Sequence, residues 1–206
     1  SLHTTFRIGG NADYFVLPKT KEQIKELIDY CKREEIAYYV IGNGSNLLVG
    51  DKGFRGVIIQ IDRAFGGITF IDEQTVKAEA GVMLSKLAAE VAERSLTGFE
   101  FASGIPGTLG GAVYMNAGAY GGEMKDCIVS ALILDENNEM RTLLKEELEL
   151  TYRNSIVAKK GYTVLEAVFH FEKGEKEAIL SKMAELNAQR REKQPLNFPS
   201  AGSTFK

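Results

Sequence analysis

The stretch Gly98–Gly122, GFEFASGIPGTLGGAVYMNAGAYGG, decides how this chain is read: 8 of its 25 residues are glycine and none is Lys or Arg. A segment so poor in side chain and charge is not expected to build a core, and it lets backbone N–H groups approach a large anionic ligand. Ile105, Pro106, Leu109, Val113 and Met115 interrupt the glycines. Flexible tethers are Ser/Gly-rich without aliphatics, so this is a packed loop rather than a linker. An earlier loop, Gly42-Asn43-Gly44-Ser45-Asn46-Leu47-Leu48, follows the apolar run Tyr38-Tyr39-Val40-Ile41 and has the same character. Two such loops point to one nucleotide-sized cofactor.

In the first loop, Asn43, Ser45 and Asn46 supply side-chain donors and tolerate unusual backbone angles, while Gly42 and Gly44 open the main chain to a pyrophosphate. No Gly-Lys-Ser/Thr follows, which excludes a Walker loop. The third glycine of the dinucleotide fingerprint is absent and no amphipathic helix follows Leu48, so that motif fits poorly. Phosphate binding here would rest on backbone and amide groups.

Outward from these loops the periodicity is that of an α/β chain. Thr20 and Gln23 have capping-box spacing, and Ile24, Leu27, Ile28 and Cys31 fall on one face of a helix expected to end near Glu34. Tyr38–Ile41 reads as a buried strand that delivers the Gly42 loop, and Gly56–Ile61 as the next strand. Short strands are expected at 68–71 and 75–80, then a helix with Leu84, Leu87, Ala88 and Val91 on one face. Segments 130–134 and 139–143 flank the turn-forming Asp135-Glu136-Asn137-Asn138 as a hairpin, and 163–171 is a further strand. A last helix carries Ile179, Met183, Leu186 and Arg190 on its inner stripe and stops before Pro195.

At 206 residues the chain has room for two α/β units. A net charge of −3, with basic residues spread along the sequence, gives no footprint for nucleic acid. Cys31 and Cys127 are far apart and form neither a CxxC pair nor a cluster with His, so neither a disulfide framework nor a metal site is expected, and a reducing, cytoplasmic compartment is. No apolar run approaches the roughly 20 residues that span a bilayer, so membrane insertion is not expected. His3 and His170 stand in no metal constellation and read as structural, and Glu100 and Asp126 are lone carboxylates near the glycine stretch with no partner at a telling spacing. Arg153, in Tyr152-Arg153-Asn154-Ser155, and Ser203, in Gly202-Ser203-Thr204-Phe205, read by themselves as a surface or paired arginine and a turn serine.

Taken in order, however, these segments resemble the UDP-N-acetylenolpyruvoylglucosamine reductase (MurB) family, FAD flavoenzymes of bacterial cell-wall precursor synthesis. The likeness runs from His3-Thr4-Thr5-Phe6-Arg7-Ile8-Gly9-Gly10 through Gly42–Leu48, Ser103–Ala112 and Met115–Gly121 to Tyr152–Ser155, Gln194-Pro195 and Pro199–Phe205. It implies an α+β, two-lobed FAD-binding region of the PCMH type, with mixed sheets and flanking helices. Lobe one would span 1–62 and lobe two 63–194, with 195–206 starting a linker to a C-terminal substrate domain that this sequence does not contain. FAD would be held non-covalently by Gly42, Asn43, Gly44, Ser45, Asn46 and Leu47, by Ser103, Gly104, Ile105, Pro106, Gly107, Thr108, Gly110 and Gly111, and by Asn116 and Gly118. NADPH would be the reductant and a UDP-linked enolpyruvyl amino sugar the substrate. Arg153 matches the family's catalytic arginine and Ser203 its proton-donating serine. The family's third catalytic group, a glutamate in the C-terminal domain, has no counterpart. The continuous segment from Tyr152 to Pro195 resembles the shorter subtype. Two other readings stay open at this point: a flavin oxidase of the same fold acting on a small alcohol, and a non-catalytic flavin- or nucleotide-binding module.

Overall fold

The computed structural model describes residues 2–194 and 198–200. The chain opens with β1 (Ala12–Val16), crosses over through α1 (Lys21–Arg33) to β2 (Tyr38–Ile41), and returns through the Gly42 loop to β3 (Phe54–Gln60). These strands form a parallel sheet in the order β1-β3-β2, with Tyr14 opposite Val57 and Tyr39 opposite Ile58. Helix α1 starts where the sequence places it: the Thr20 side chain accepts from the Gln23 amide, and Glu34 ends the helix. The reciprocal half of the box is displaced by one residue, since Gln23 Oε1 accepts from the Lys19 amide at 2.7 Å. Ile24, Ile28 and Cys31 are buried on the inner face. One expectation is corrected. β2 is an edge strand in which only Ile41 is buried and Tyr39 is 48% exposed, because a three-stranded sheet leaves its outer strand half covered.

The chain then forms β4 (Ile68–Phe70), β5 (Thr75–Glu79), α2 (Leu84–Glu93), the short β6 (Leu96–Thr97) and α3 (Leu109–Tyr114). The two-residue strands β7 (Gly118–Ala119) and β8 (Gly122–Glu123) follow, then β9 (Ile128–Leu134), β10 (Met140–Leu144), α4 (Ile156–Lys160), β11 (Thr163–His170), β12 (Glu172–Lys173) and α5 (Lys176–Lys193). Five of these strands make an antiparallel sheet in the order β10-β9-β11-β5-β4. The β9–β10 hairpin turns on the predicted tetrad. Asp135 Oδ1 accepts from the amides of Asn137 and Glu139, each at 2.9 Å, and Asn138 takes a left-handed φ of 62°. Helix α5 ends as a proline two residues on requires, with Gln194 extended at φ −127°, ψ 137°.

A second correction concerns Gly98–Gly122. The segment does contribute to the core: Phe99, Phe101, Ala102, Leu109, Ala112, Val113 and Ala117 are all buried. Phe99 sits edge-on to Phe101 (5.4 Å between centroids) and to Phe171 (5.5 Å), and α3 packs against β11. The glycines thin the segment without emptying it, because most of the aromatic and aliphatic residues between them turn inward, Tyr114 and Tyr120 excepted. This anchoring fixes the backbone on either side of Ser103–Thr108, which positions the site.

Candidate active site

The two glycine loops, far apart in sequence, lie against each other. Asn43 Nδ2 donates to the Pro106 carbonyl at 2.7 Å, and Asn46 Nδ2 lies 3.6 Å from Met115 Sδ. A methyl group on Gly42 would overlap the Thr108 hydroxyl, and one on Gly107 would lie 3.6 Å from Ser45 Oγ. Gln60 Nε2, at the end of β3, donates to the Gly42 carbonyl at 2.9 Å and fixes the loop's first residue. Gly44 has φ +61° and faces the His3 carbonyl, while its own carbonyl accepts from the Thr5 amide at 3.3 Å. An L side chain at this position would be both strained and obstructed. The segment 3–5 therefore lies over the loop as a strap, with His3 stacked on Phe15 at 3.8 Å.

On the other loop, the 107–110 backbone is pinned by the first residue of α2 and by the connection between β5 and α2. The Leu84 amide donates to the Gly107 carbonyl at 3.1 Å, the Leu109 amide to Val82 and the Gly110 amide to Ala80, each at 2.8 Å. Gly104 has a different cause: a side chain there would meet Asn187 and Arg190 of α5, and Asn187 Nδ2 lies 3.3 Å from Ser103 Oγ. Gly107 and Gly111 are unlike the rest. Neither has a positive φ, and a methyl group at either would meet no protein atom closer than 3.6 Å. Nothing among the described residues demands glycine there, so the backbone at both positions is open to close approach of a ligand.

The residues named from the sequence divide into two groups. Gly42, Asn43, Ser45 and Asn46 meet Pro106, Gly107, Thr108 and Met115, with Gly111 exposed one helical turn into α3. Asn116, Gly118 and Arg153 gather at the far end of the stretch. Arg153 Nη2 donates to the Gly118 carbonyl at 2.8 Å, and Nη1 reaches the Asn116 carbonyl at 3.5 Å. Arg153 holds φ +53° in a tight turn closed by reciprocal Thr151–Asn154 backbone bonds of 3.0 and 3.1 Å. Such a conformation costs a non-glycine residue energy and marks a constrained position. Ser155 fastens the turn: it caps α4 through the Ala158 amide, and its hydroxyl donates to the Tyr114 carbonyl at 2.5 Å. No carboxylate pairs with Arg153 among the described residues; its guanidinium stands exposed with donors to spare.

Asn116 is fully buried at φ +44°, and its side chain is committed to protein. Nδ2 donates to Glu123 Oε2 and to the Thr151 carbonyl, and Oδ1 accepts from the Lys125 amide. Its direct effect is to seat the Arg153 turn against the glycine stretch. Ser203 lies outside the described residues. The two lone carboxylates are engaged locally: Glu100 accepts from Thr97 Oγ1 and the Gly98 amide, and Asp126 from the Glu123 amide. His170 pairs with Thr75 at 3.2 Å. Both cysteines are buried and free, and burial pushes the Cys127 thiol up to about 12.

Sequence reading missed two features. Arg190 was placed only as the last member of an apolar stripe, yet it is half-buried beside Gly104, and burial holds its pKa below the usual guanidinium value, opposed by nearby Tyr120. A cation in an otherwise apolar stripe was the available signal. The other is the strap. The Thr4 hydroxyl, beside Gly44, is buried without a hydrogen-bond partner among the described residues. A dinucleotide cofactor with a pyrophosphate fits this donor set: amide side chains, open glycine backbone, a hydroxyl and an uncompensated arginine.

Comparison with known proteins agrees with that chemistry. A sequence profile of the FAD binding domain family matches residues 12–144. A UDP-N-acetylenolpyruvoylglucosamine reductase of Lachnoclostridium phytofermentans is 53% identical over all of this chain and 67% of its own length. That of Alkaliphilus oremlandii is 52% identical over 99% of the chain and 67% of the relative. The crystal structure of the Thermus caldophilus enzyme (MurB) superposes with a TM-score of 0.82 at 34% identity, covering 99% of this chain and 71% of that one. An alkyldihydroxyacetonephosphate synthase, at 18% identity and a TM-score of 0.58, shares the fold alone. The architecture is thus the α+β, PCMH-type FAD-binding fold, and the chain spans about two thirds of the length of these relatives.

Proposed function

The chain belongs to the UDP-N-acetylenolpyruvoylglucosamine reductase (MurB) family of FAD-containing oxidoreductases, and from that membership we propose that it forms the FAD-binding portion of an NADPH-dependent reductase making UDP-N-acetylmuramate. The reaction belongs to peptidoglycan precursor synthesis in the cytoplasm, and through it to cell-wall biogenesis, cell shape and division. The observation that carries the reading is the meeting of the Gly42 and Ser103–Gly111 loops around two glycines, Gly107 and Gly111, that the fold itself does not require. The lobes would be 1–62 and 63–194, with 195–206 leading toward the part that receives the sugar.

FAD, when bound, supplies the hydride that reduces the enolpyruvyl double bond. Asn43, Ser45 and Asn46, with the backbone of Gly42, Gly44, Leu47 and the 103–111 loop, would hold its pyrophosphate and ribityl chain. Arg190 would offset its negative charge. Hydride arrival at the terminal carbon leaves negative charge on the neighbouring carbon, delocalised into the carboxylate. Arg153, held by Gly118 with unused donors, suits that planar anion. Ser203 would deliver the proton: a serine is a weak acid, but the carbanionic centre is far more basic. Asn116 and Ser155 act on Arg153 indirectly, as positioning residues.

Three measurements test this. The purified protein should release FAD on denaturation; a folded protein that neither carries nor binds FAD would refute the cofactor site. In the full-length protein, Ser203→Ala should leave flavin reduction by NADPH within about twofold and slow reoxidation by substrate at least about a hundredfold. Equal loss in both half-reactions would remove Ser203 from the proton-donor role. Arg153→Lys should slow reoxidation, because an ammonium cannot reproduce a planar fork; near-normal turnover would remove Arg153 from the catalytic set.

A further inference from the structure

One residue near the N-terminus joins the cofactor loop to the segment that follows α5. The Thr5 amide donates to the Gly44 carbonyl at 3.3 Å. On its other side, Thr5 Oγ1 donates to the Ser200 carbonyl at 2.7 Å, and the Ser200 amide donates back to the Thr5 carbonyl at 3.2 Å. Thr5 thus grips both backbone groups of a residue 195 positions away while its own N–H is spent on the loop. Ser200 precedes Ser203 by three residues in the sequence, a span of at most about 10 Å of extended chain.

We propose that Thr5 is a positioning residue that couples the Gly44 cofactor loop to Ser200, so that ordering of the loop by FAD also restrains the chain at Ser200, three residues before Ser203 in the sequence. The loop side of the coupling needs only the backbone of residue 5; the Ser200 side needs its hydroxyl. Valine, nearly the same shape, keeps the strap on Gly44 and deletes the grip on the Ser200 carbonyl, whereas serine keeps both. The catalytic part of this inference rests on the reading of Ser203 given above; the coupling itself does not.

Hydrogen exchange with and without FAD reads the coupling directly. In the wild-type protein and in Thr5→Ser, FAD should slow exchange both in the 42–48 loop and in a peptide covering 198–206. In Thr5→Val the loop protection should persist, and protection of 198–206 should fall about three- to tenfold, the range expected for one lost hydrogen bond. Stopped-flow on the full-length protein reads the consequence: Thr5→Val should leave flavin reduction by NADPH unchanged, slow reoxidation by a similar factor and enlarge its solvent isotope effect, with Thr5→Ser restoring all three. Undiminished protection of 198–206 in Thr5→Val would overturn the coupling, as would loss of protection in both peptides together. Loss of coupling with unaltered reoxidation would overturn the catalytic part. If Ser203→Ala also fails to slow reoxidation, the fault lies in the reading of Ser203, and the exchange result for Thr5 stands on its own.

Discussion

The Gly42 loop and the Gly98–Gly122 stretch look alike as sequence, yet their glycines answer to different demands. In the first, Gly42 and Gly44 are fixed by the protein: one faces the Thr108 hydroxyl, and the other combines a φ of +61° with the His3 carbonyl. In the second, Gly104 and Gly118 are also packing glycines, against α5 and against the β7–β8 turn, but Gly107 and Gly111 have neither a steric nor a conformational requirement. Glycine richness alone therefore does not locate a ligand. The glycines that the fold would permit to be something else are the ones left open to a ligand.

Substitutions that confuse or separate these two kinds of glycine give graded outcomes. The largest effect belongs to Gly42→Val, which drives a branched side chain into Thr108 where the loops touch. It should cost about 1–3 kcal/mol, lowering the midpoint of thermal unfolding by several degrees and abolishing FAD retention together with it. A variant of wild-type stability would show that the two loops are not in contact. Asn43→Ala removes only the bond to Pro106, at about 0.5–1.5 kcal/mol, and should weaken FAD binding while leaving secondary structure intact by circular dichroism. FAD affinity unchanged in that variant would detach Asn43 from the cofactor site. The smallest effect on folding, and of opposite sign, is expected for Gly111→Ala. This position lies inside α3 with open space around it, so alanine should stabilise the apoprotein by about 0.5–1 kcal/mol, readable as a raised unfolding midpoint.

Much of this contrast was invisible before the structure. The α1 cap at Thr20, the α2 face, the β9–β10 turn at Asp135–Asn138 and the proline-limited end of α5 were legible because each is written in local chemistry. Strand β1 was not. Ala12–Val16 buries none of its residues and exposes Tyr14, and it is held as a strand by its parallel pairing with the distant β3, where Ala12 lies opposite Phe54. Helix α3 was hidden for the opposite reason: Gly110 and Gly111 suppress helix propensity, and six residues hold helical form because Leu109, Ala112 and Val113 are buried. For the site, residue types and order pointed to the two loops. Which glycines were free, the commitment of the Asn116 side chain to Glu123, Thr151 and Lys125, and the half-buried charge of Arg190 all depend on contacts between distant segments.

The measurement that tests the account most directly is a pair of titrations on Gly111→Ala and the wild-type protein: FAD affinity by fluorescence quenching, beside the thermal midpoint of the FAD-free protein. The account predicts that the two move apart, with affinity falling on the order of tenfold or more while the midpoint holds or rises. Wild-type FAD affinity in a stable Gly111→Ala protein would contradict it, because the glycine that the fold leaves free would then be free of the cofactor as well.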